Sequence, residues 1–188
     1  MKKIFIDYDT TLVNFQEVLT QKINTIEGTY FSPLELSREG NLSDIKKKNR
    51  ALYAEQNIYI DIVPFNGAIQ FLNDVKLLGY NIILLTGNAN KVQMNHKNNH
   101  IKKYFNDIFD DIIHVDKNIK HKYTKNSIFI DDCYDNVINH IKENQCMGIV
   151  FNYKEYYVNK EKLNWSIDKL YHITCFKELY LLIKNSDE

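Results

Sequence analysis

Hydrophobic residues fall in five short, nearly unbroken runs at Lys3 to Ile6, Asn81 to Leu85, Asp111 to Val115, Ser127 to Ile130 and Gly148 to Phe151. Runs that are continuous rather than alternating suit strands covered on both faces, as in a parallel sheet. Between them the spacing changes to that of helices. Asn66 to Leu78 places Ile69, Phe71, Leu72, Val75 and Leu78 on one stripe, with Gly79 as a stop. Residues 135–145 carry Val137, Ile138 and Ile141 at helical spacing, and 175–183 carry Phe176, Leu179, Leu182 and Ile183. Strands alternating with helices predict an α/β chain: a Rossmann-like three-layer sandwich around a central parallel five-stranded sheet.

The alternation is interrupted after the first strand, where about fifty residues offer one strand candidate only, Ile58 to Ile62. Phe15, Val18, Leu19, Ile23 and Ile26 sit at i, i+3, i+4, i+8 and i+11, an amphipathic helix. Ser32-Pro33-Leu34-Glu35 reads as a capping box with proline at the first helical position. A further helix is expected after Ser43, to about Glu55. The predicted organisation is a core domain of residues 1–13 and 64–188 with a small helical cap, 14–63, inserted after the first strand.

Composition narrows the picture by exclusion. At 188 residues and 44% hydrophobic the chain suits one ordinary core with an insertion. Lys plus Arg and Asp plus Glu number 24 each, so no overall basic field exists to hold nucleic acid non-specifically. No long uncharged apolar run is available to span a bilayer, and Met-Lys-Lys leading directly into a strand lacks the layout of a signal peptide. Cys133, Cys146 and Cys175 are odd in number and lack metal spacing, which fits reduced thiols and a cytoplasmic location.

The chemistry lies where two of the strand runs end. Asp7 and Asp9 follow the first, and Asp131 and Asp132 follow Ile128-Phe129-Ile130. An open parallel sheet binds its ligands just outside the strand C-termini, and acids gathered there repel one another unless a hard divalent cation neutralises them. Asp7-Tyr8-Asp9-Thr10-Thr11-Leu12, Leu84-Leu85-Thr86-Gly87-Asn88, a lysine beyond, and Ile130-Asp131-Asp132 with Asp135-Asn136 resemble, in that order, the motif set of the haloacid dehalogenase (HAD) superfamily of phosphohydrolases. The resemblance spans residues 3 to about 151, and the ordered set is more specific than any member of it. The cap position, Leu12, Phe15 and the Ile-Asp-Asp ending look most like the 5'(3')-deoxyribonucleotidase group, although Thr10 stands where a glycine or acidic residue is usual.

Residue by residue, Asp7 is the candidate nucleophile, because a carboxylate attacking phosphorus splits one hard displacement into two. Asp9 is the candidate acid and base for the leaving oxygen and the attacking water, so the two carboxyl groups need different environments. Asp131 is the best side-chain metal ligand, joining Asp7 and, as the resemblance implies, the backbone carbonyl of Asp9 around Mg2+. Asp132 suits a place behind the ligands or a bond to a backbone group, and Asp135 either holds a metal-bound water or simply opens the next helix. Thr86, Gly87 and Asn88 are placed to cradle phosphate at a helix start, where Thr86 also suits an N-cap. The lysine that offsets phosphate and carboxylate charge is expected to be Lys117, ahead of Lys122 and then Lys120, with Lys125 too near the next strand.

Substrate choice would belong to the cap. Phe15, Tyr30, Phe31, Tyr53 and Tyr59 are candidate rings for stacking a nucleobase, Phe15 foremost, against the plainer reading that each is cap core. Lys46, Lys47, Lys48 and Arg50 form the one dense basic run, a solvated face by default and a polyanion contact by alternative. His96 and His100 at i, i+4 lack the accompanying glutamate of a zinc motif and read as surface histidines. Cys133, beside the acidic pair, is no candidate nucleophile, since that field raises a thiol pKa. The expectation is a Mg2+-dependent phosphomonoesterase acting on a small phosphorylated substrate, a nucleoside or deoxynucleoside monophosphate. A polynucleotide end phosphatase, a sugar or other metabolite phosphatase, and a non-catalytic binding protein are the alternatives. Oligomeric state is left open.

Overall fold

The structure, a computed structural model, describes residues 2–37, 57–87, 90–153 and 167–186, the side chains of Ser37 and Lys117 excepted. Strand β1 (Lys3–Ile6) lies inside a parallel sheet with β2 (Asn81–Gly87), β3 (Asp111–Val115), β4 (Ile128–Asp131), β5 (Gly148–Phe151) and β6 (Leu170–Ile173), in the order β3-β2-β1-β4-β5-β6. Every neighbouring pair is parallel. The sixth strand is an addition to the five expected. Leu170–Ile173 sits at the sheet edge with β5 as its partner, and its half-exposed Leu-Tyr-His-Ile lacks the continuous apolar run of the inner strands.

The helices are α1 (Phe15–Glu27), α2 (Pro33–Ser37), α3 (Ala68–Leu77), α4 (Lys91–Tyr104), α5 (Tyr134–Asn144) and α6 (Phe176–Asn185). Because side chains alternate along a strand, the inner strands face two layers. Ile4, Ile6, Ile82, Leu84, Ile130 and Ile149 join Phe71, Leu72 and Val75 of α3 and Phe176, Leu179 and Ile183 of α6 in the main core. Phe5, Ile83, Leu85 and Phe129 form a cluster on their opposite side chain positions, and Val150 packs with Val137, Ile138 and Ile141 of α5. Gly79 follows α3 with φ 84°, the left-handed stop its sequence position suggested.

The segment between β1 and α3 is clipped at its base. Asn14 N–H donates to the Val63 carbonyl at 3.1 Å, Val63 N–H donates to Asn14 Oδ1 at 2.8 Å, and Phe65 N–H donates to Leu12 O at 2.9 Å. Within it α1 buries Val18, Thr20 and Ile23. The capping box forms as read: Ser32 N–H donates to Glu35 Oε2 at 2.8 Å, and Glu35 N–H donates to Ser32 Oγ at 3.3 Å. Ile58–Ile60 is a 3-10 turn rather than the strand considered from sequence, and the helix expected after Ser43 lies outside the described residues. Among the described residues no helix is long and apolar enough to cross a membrane.

Strand order reverses between β1 and β4: the chain steps outward through β2 and β3 on one side, then β4, β5 and β6 on the other. It is outside the strand C-termini at such a reversal that open α/β sheets bind ligands.

Candidate active site

Register brings the acids together. Ile6 pairs with Ile130, so Asp7 and Asp131 leave neighbouring strands at one level, and Asp7 N–H donates to the Ile130 carbonyl at 2.9 Å. Asp7, Asp131 and Asp132 offer carboxylate oxygens that all lie within 4.8 Å of one another, the first two buried. Thr11 Oγ1 accepts from Asp132 N–H at 3.1 Å, fastening the loop after β1 to the end of β4.

Lys120 enters this cluster from a 3-10 turn, Lys117–Tyr123, with its ammonium 2.6 Å from Asp7 Oδ1 and 2.8 Å from Asp131 Oδ2. Sequence reading favoured Lys117, which opens the same turn; its side chain lies outside the described residues. The middle of the turn, at Lys120 and His121, is the buried part. Asp131 is held further by Cys133 N–H at 2.8 Å to Oδ1 and by Asn136 Nδ2 at 3.1 Å to Oδ2. Burial works against the charge on Lys120, yet Asp131 and Asp7 keep its ammonium above the ordinary lysine range. Burial, opposed by Lys120 and reinforced by Asp131 and Asp9, pushes Asp7 up to about 6. Burial and then repulsion from Asp131 and Asp7 push Asp132 well above the usual carboxylate range.

Asp9 has other partners. Tyr59 Oη donates to its Oδ1 at 2.9 Å, and Lys97 Nζ donates to its Oδ2 at 2.7 Å. The same ammonium reaches Thr86 Oγ1 at 2.8 Å and the Gly87 carbonyl. Burial, with Asp9 beside it, holds the Tyr59 phenol well above its ordinary pKa, so it stays a donor. Thus Asp9 and Thr86 share one cation, while Asp7 and Asp131 share another. Between Asp9 and Thr11, Thr10 takes φ 67°, the left-handed region that β-branched residues avoid and glycine accepts.

Other candidates are placed less centrally. Gly87 ends β2, and Asn88 lies outside the described residues, as do Tyr53 and the Lys46 to Arg50 run. Phe15 is half-buried at the start of α1 with its ring 6.1 Å from that of Tyr59. Tyr30 is exposed, and Phe31 packs partly against Ile23 and Leu36. Asp135 is an exposed acid in the first turn of α5. His100 corrects its surface reading: it is buried, with Nδ1 against Tyr8 Oη and Nε2 2.9 Å from the Ile62 carbonyl. Burial, then Asp131 and Asp132, push the Cys133 thiol up to about 12, in keeping with its dismissal as a nucleophile.

Lys97 is the residue sequence reading missed, and Tyr59 was read as a stacking ring or cap core, not as a partner of Asp9. A signal for Lys97 existed. It precedes Ile101 by one helical turn, so the buried face of α4 that carries His100 and Ile101 includes it.

The donor set fits a hard divalent cation on chemical grounds. Three carboxylates with oxygens within 4.8 Å of one another are set against the single ammonium of Lys120, an all-oxygen donor set of the kind such a cation takes.

Parallel strands in this order, flanked by helices and carrying ligating groups at the switch point, define a Rossmann-like α/β fold. Solved HAD-superfamily hydrolases share it. A protein described as a predicted phosphatase from Clostridium acetobutylicum superposes with TM-score 0.68 at 15% identity, covering 98% of each chain. A HAD family hydrolase from Deinococcus radiodurans R1, solved with bound phosphate and sodium, gives 0.67 at 10% identity over 100% of this chain and 96% of its own. A predicted phosphoglycolate phosphatase from Haemophilus somnus 129PT gives 0.66 at 15% identity over 97% of this chain and 98% of its own. At such identities the likeness establishes the fold. No protein-family model matches the chain, and no curated protein does.

Proposed function

We propose that this chain is a Mg2+-dependent phosphomonoesterase that works through an aspartyl-phosphate on Asp7. The observation that carries the reading is the convergence of Asp7, Asp131 and Lys120 at the switch point, with Asp9 and Thr86 joined beside them through Lys97. An Asp7 oxygen attacks phosphorus and the bond to the ester oxygen breaks, Asp9 supplying the proton that oxygen needs. Water then attacks the phosphorus of the acyl phosphate, gives its proton to Asp9, and frees Asp7 with release of inorganic phosphate. Lys120 offsets the negative charge of nucleophile and phosphoryl group. Asp7, Asp131 and the Asp9 carbonyl would hold the metal, which when bound lessens repulsion between carboxylate and phosphate dianion. Thr86 and Gly87 line the phosphate side, and residues 14–63 act as the cap that selects substrate.

Within that class, a nucleoside or deoxynucleoside monophosphate is the reading favoured by the motif resemblance, with Phe15 as the ring nearest the catalytic loop. A small-metabolite phosphatase is the second reading. It is favoured by the burial of Tyr59, which removes one stacking candidate, and by structural neighbours described as phosphoglycolate phosphatases. Phosphate release with Mg2+ over nucleotides, sugar phosphates, phosphoglycolate and phosphorylated oligonucleotides separates these readings. Asp7→Asn is the control: it should fold and be inactive. Turnover by that variant at the parent rate would refute the nucleophile, and no hydrolysis of any ester would refute the class.

A further inference from the structure

Lys97 is the buried cation that the reaction as written leaves without a task. It is 2% exposed, and its three N–H groups meet three acceptors: Asp9 Oδ2, Thr86 Oγ1 and the Gly87 carbonyl. A buried ammonium requires such partners, and a satisfied one fixes whatever it touches. Here it touches the tips of two strands at once. The other oxygen of Asp9 is fixed by Tyr59, whose ring also lies 5.9 Å from the Lys97 ammonium. Lys97 comes from α4 and Tyr59 from the turn that closes the inserted segment, so a carboxyl group on a loop is gripped from both sides by separate elements.

We propose that Lys97 and Tyr59 form a clasp that positions Asp9 toward the leaving oxygen, making proton delivery depend on the inserted segment as well as on the core. Both are positioning residues, acting through Asp9, and the inference rests on the phosphatase reading above. A misplaced proton donor harms most the esters whose leaving oxygen needs the proton. An alkyl phosphate expels a strongly basic alkoxide; p-nitrophenyl phosphate expels a stable phenolate. A lysine that only filled a buried position would not distinguish them.

The test compares kcat/KM of the parent, Lys97→Met, Lys97→Arg and Tyr59→Phe on glycerol 2-phosphate and p-nitrophenyl phosphate with Mg2+. Lys97→Met should lose on the order of 100-fold more on the alkyl ester than on the aryl ester, any loss common to both reporting its bond to Thr86, and Tyr59→Phe roughly tenfold more. Lys97→Arg, which keeps the charge, should hold the parent ratio between substrates. In an Asp9→Asn background neither Lys97→Met nor Tyr59→Phe should add a further substrate-dependent loss, since the group they position is gone. Equal losses on both esters, or full additivity with Asp9→Asn, would overturn the clasp while leaving the phosphatase reading intact. A parent that hydrolyses neither these two esters nor any of the nucleotides, sugar phosphates, phosphoglycolate and phosphorylated oligonucleotides would refute both. If Lys97→Met does not fold, the Lys97→Arg and Tyr59→Phe ratios decide.

Discussion

The ammonium of Lys120, almost wholly buried between Asp7 and Asp131, is the residue on which the site's electrostatics turn. Removing one partner of a buried ion pair leaves uncompensated charge, typically costing about 3–5 kcal/mol. Lys120→Met should therefore unfold at lower urea than the parent in the presence of a chelator, and lose phosphatase activity. Mg2+ should raise its melting temperature by more than it raises that of the parent, because the cation then supplies the charge the lysine no longer does. Equal shifts in the two proteins would contradict a cation bound among these acids. The strand-end acids were legible because hydrophobic runs ending in Asp mark them directly. Lys97 was not, Lys120 stood only third among the lysines considered and Tyr59 only as a ring, because a long side chain acts several ångströms from its own backbone position and linear spacing does not record the direction of its reach.

At the scale of elements, α5 braces the turn that delivers Lys120. His140 Nε2 donates to the Met147 carbonyl at 3.1 Å, which leaves Nδ1 as an acceptor 2.7 Å from Thr124 Oγ1, and Asn144 Nδ2 donates to the His121 carbonyl at 2.9 Å. Burial lowers the His140 pKa from 6.5 to about 4. The unfolded chain therefore takes up a proton that the folded imidazole refuses. Stability from this group is complete above about 6.5 and drains as pH falls toward 4, by on the order of 3 kcal/mol. Urea midpoints measured across that range should fall with acidity in the parent and fall less steeply in His140→Asn. The same helix presses on β5 at Gly148, where an added Cβ would stand 2.7 Å from Val137 Cγ1 and 2.8 Å from Ile141 Cγ1. Gly148→Ala should cost about 1–3 kcal/mol by chemical denaturation; an unchanged midpoint would show that α5 shifts freely. Inner strands such as β1 and β2 were legible since burial on both faces makes their middles continuously apolar, Ile4 to Ile6 and Ile82 to Leu85. Strand β6 was not, since an edge strand with one partner tolerates Tyr171 and His172.

Across the whole molecule, two features of the chain set the site: the reversal of strand order between β1 and β4, and the acids that stand at the C-terminal ends of those strands. The first follows from alternating strands and helices and was readable from their order. Which lysine would close the circuit was not, because it depends on how a 3-10 turn folds back against α5 after the third strand. The reading of the chain as a phosphatase rests on Asp7 accepting the phosphoryl group. Acid quenching of the protein during turnover of p-nitrophenyl phosphate with Mg2+, followed by peptide mapping by mass spectrometry, tests this directly. A single acid-stable, base-labile phosphoryl group on Asp7, absent from Asp7→Asn, is the expected result; catalytic turnover with the label on another residue, or undiminished turnover in Asp7→Asn, would contradict it.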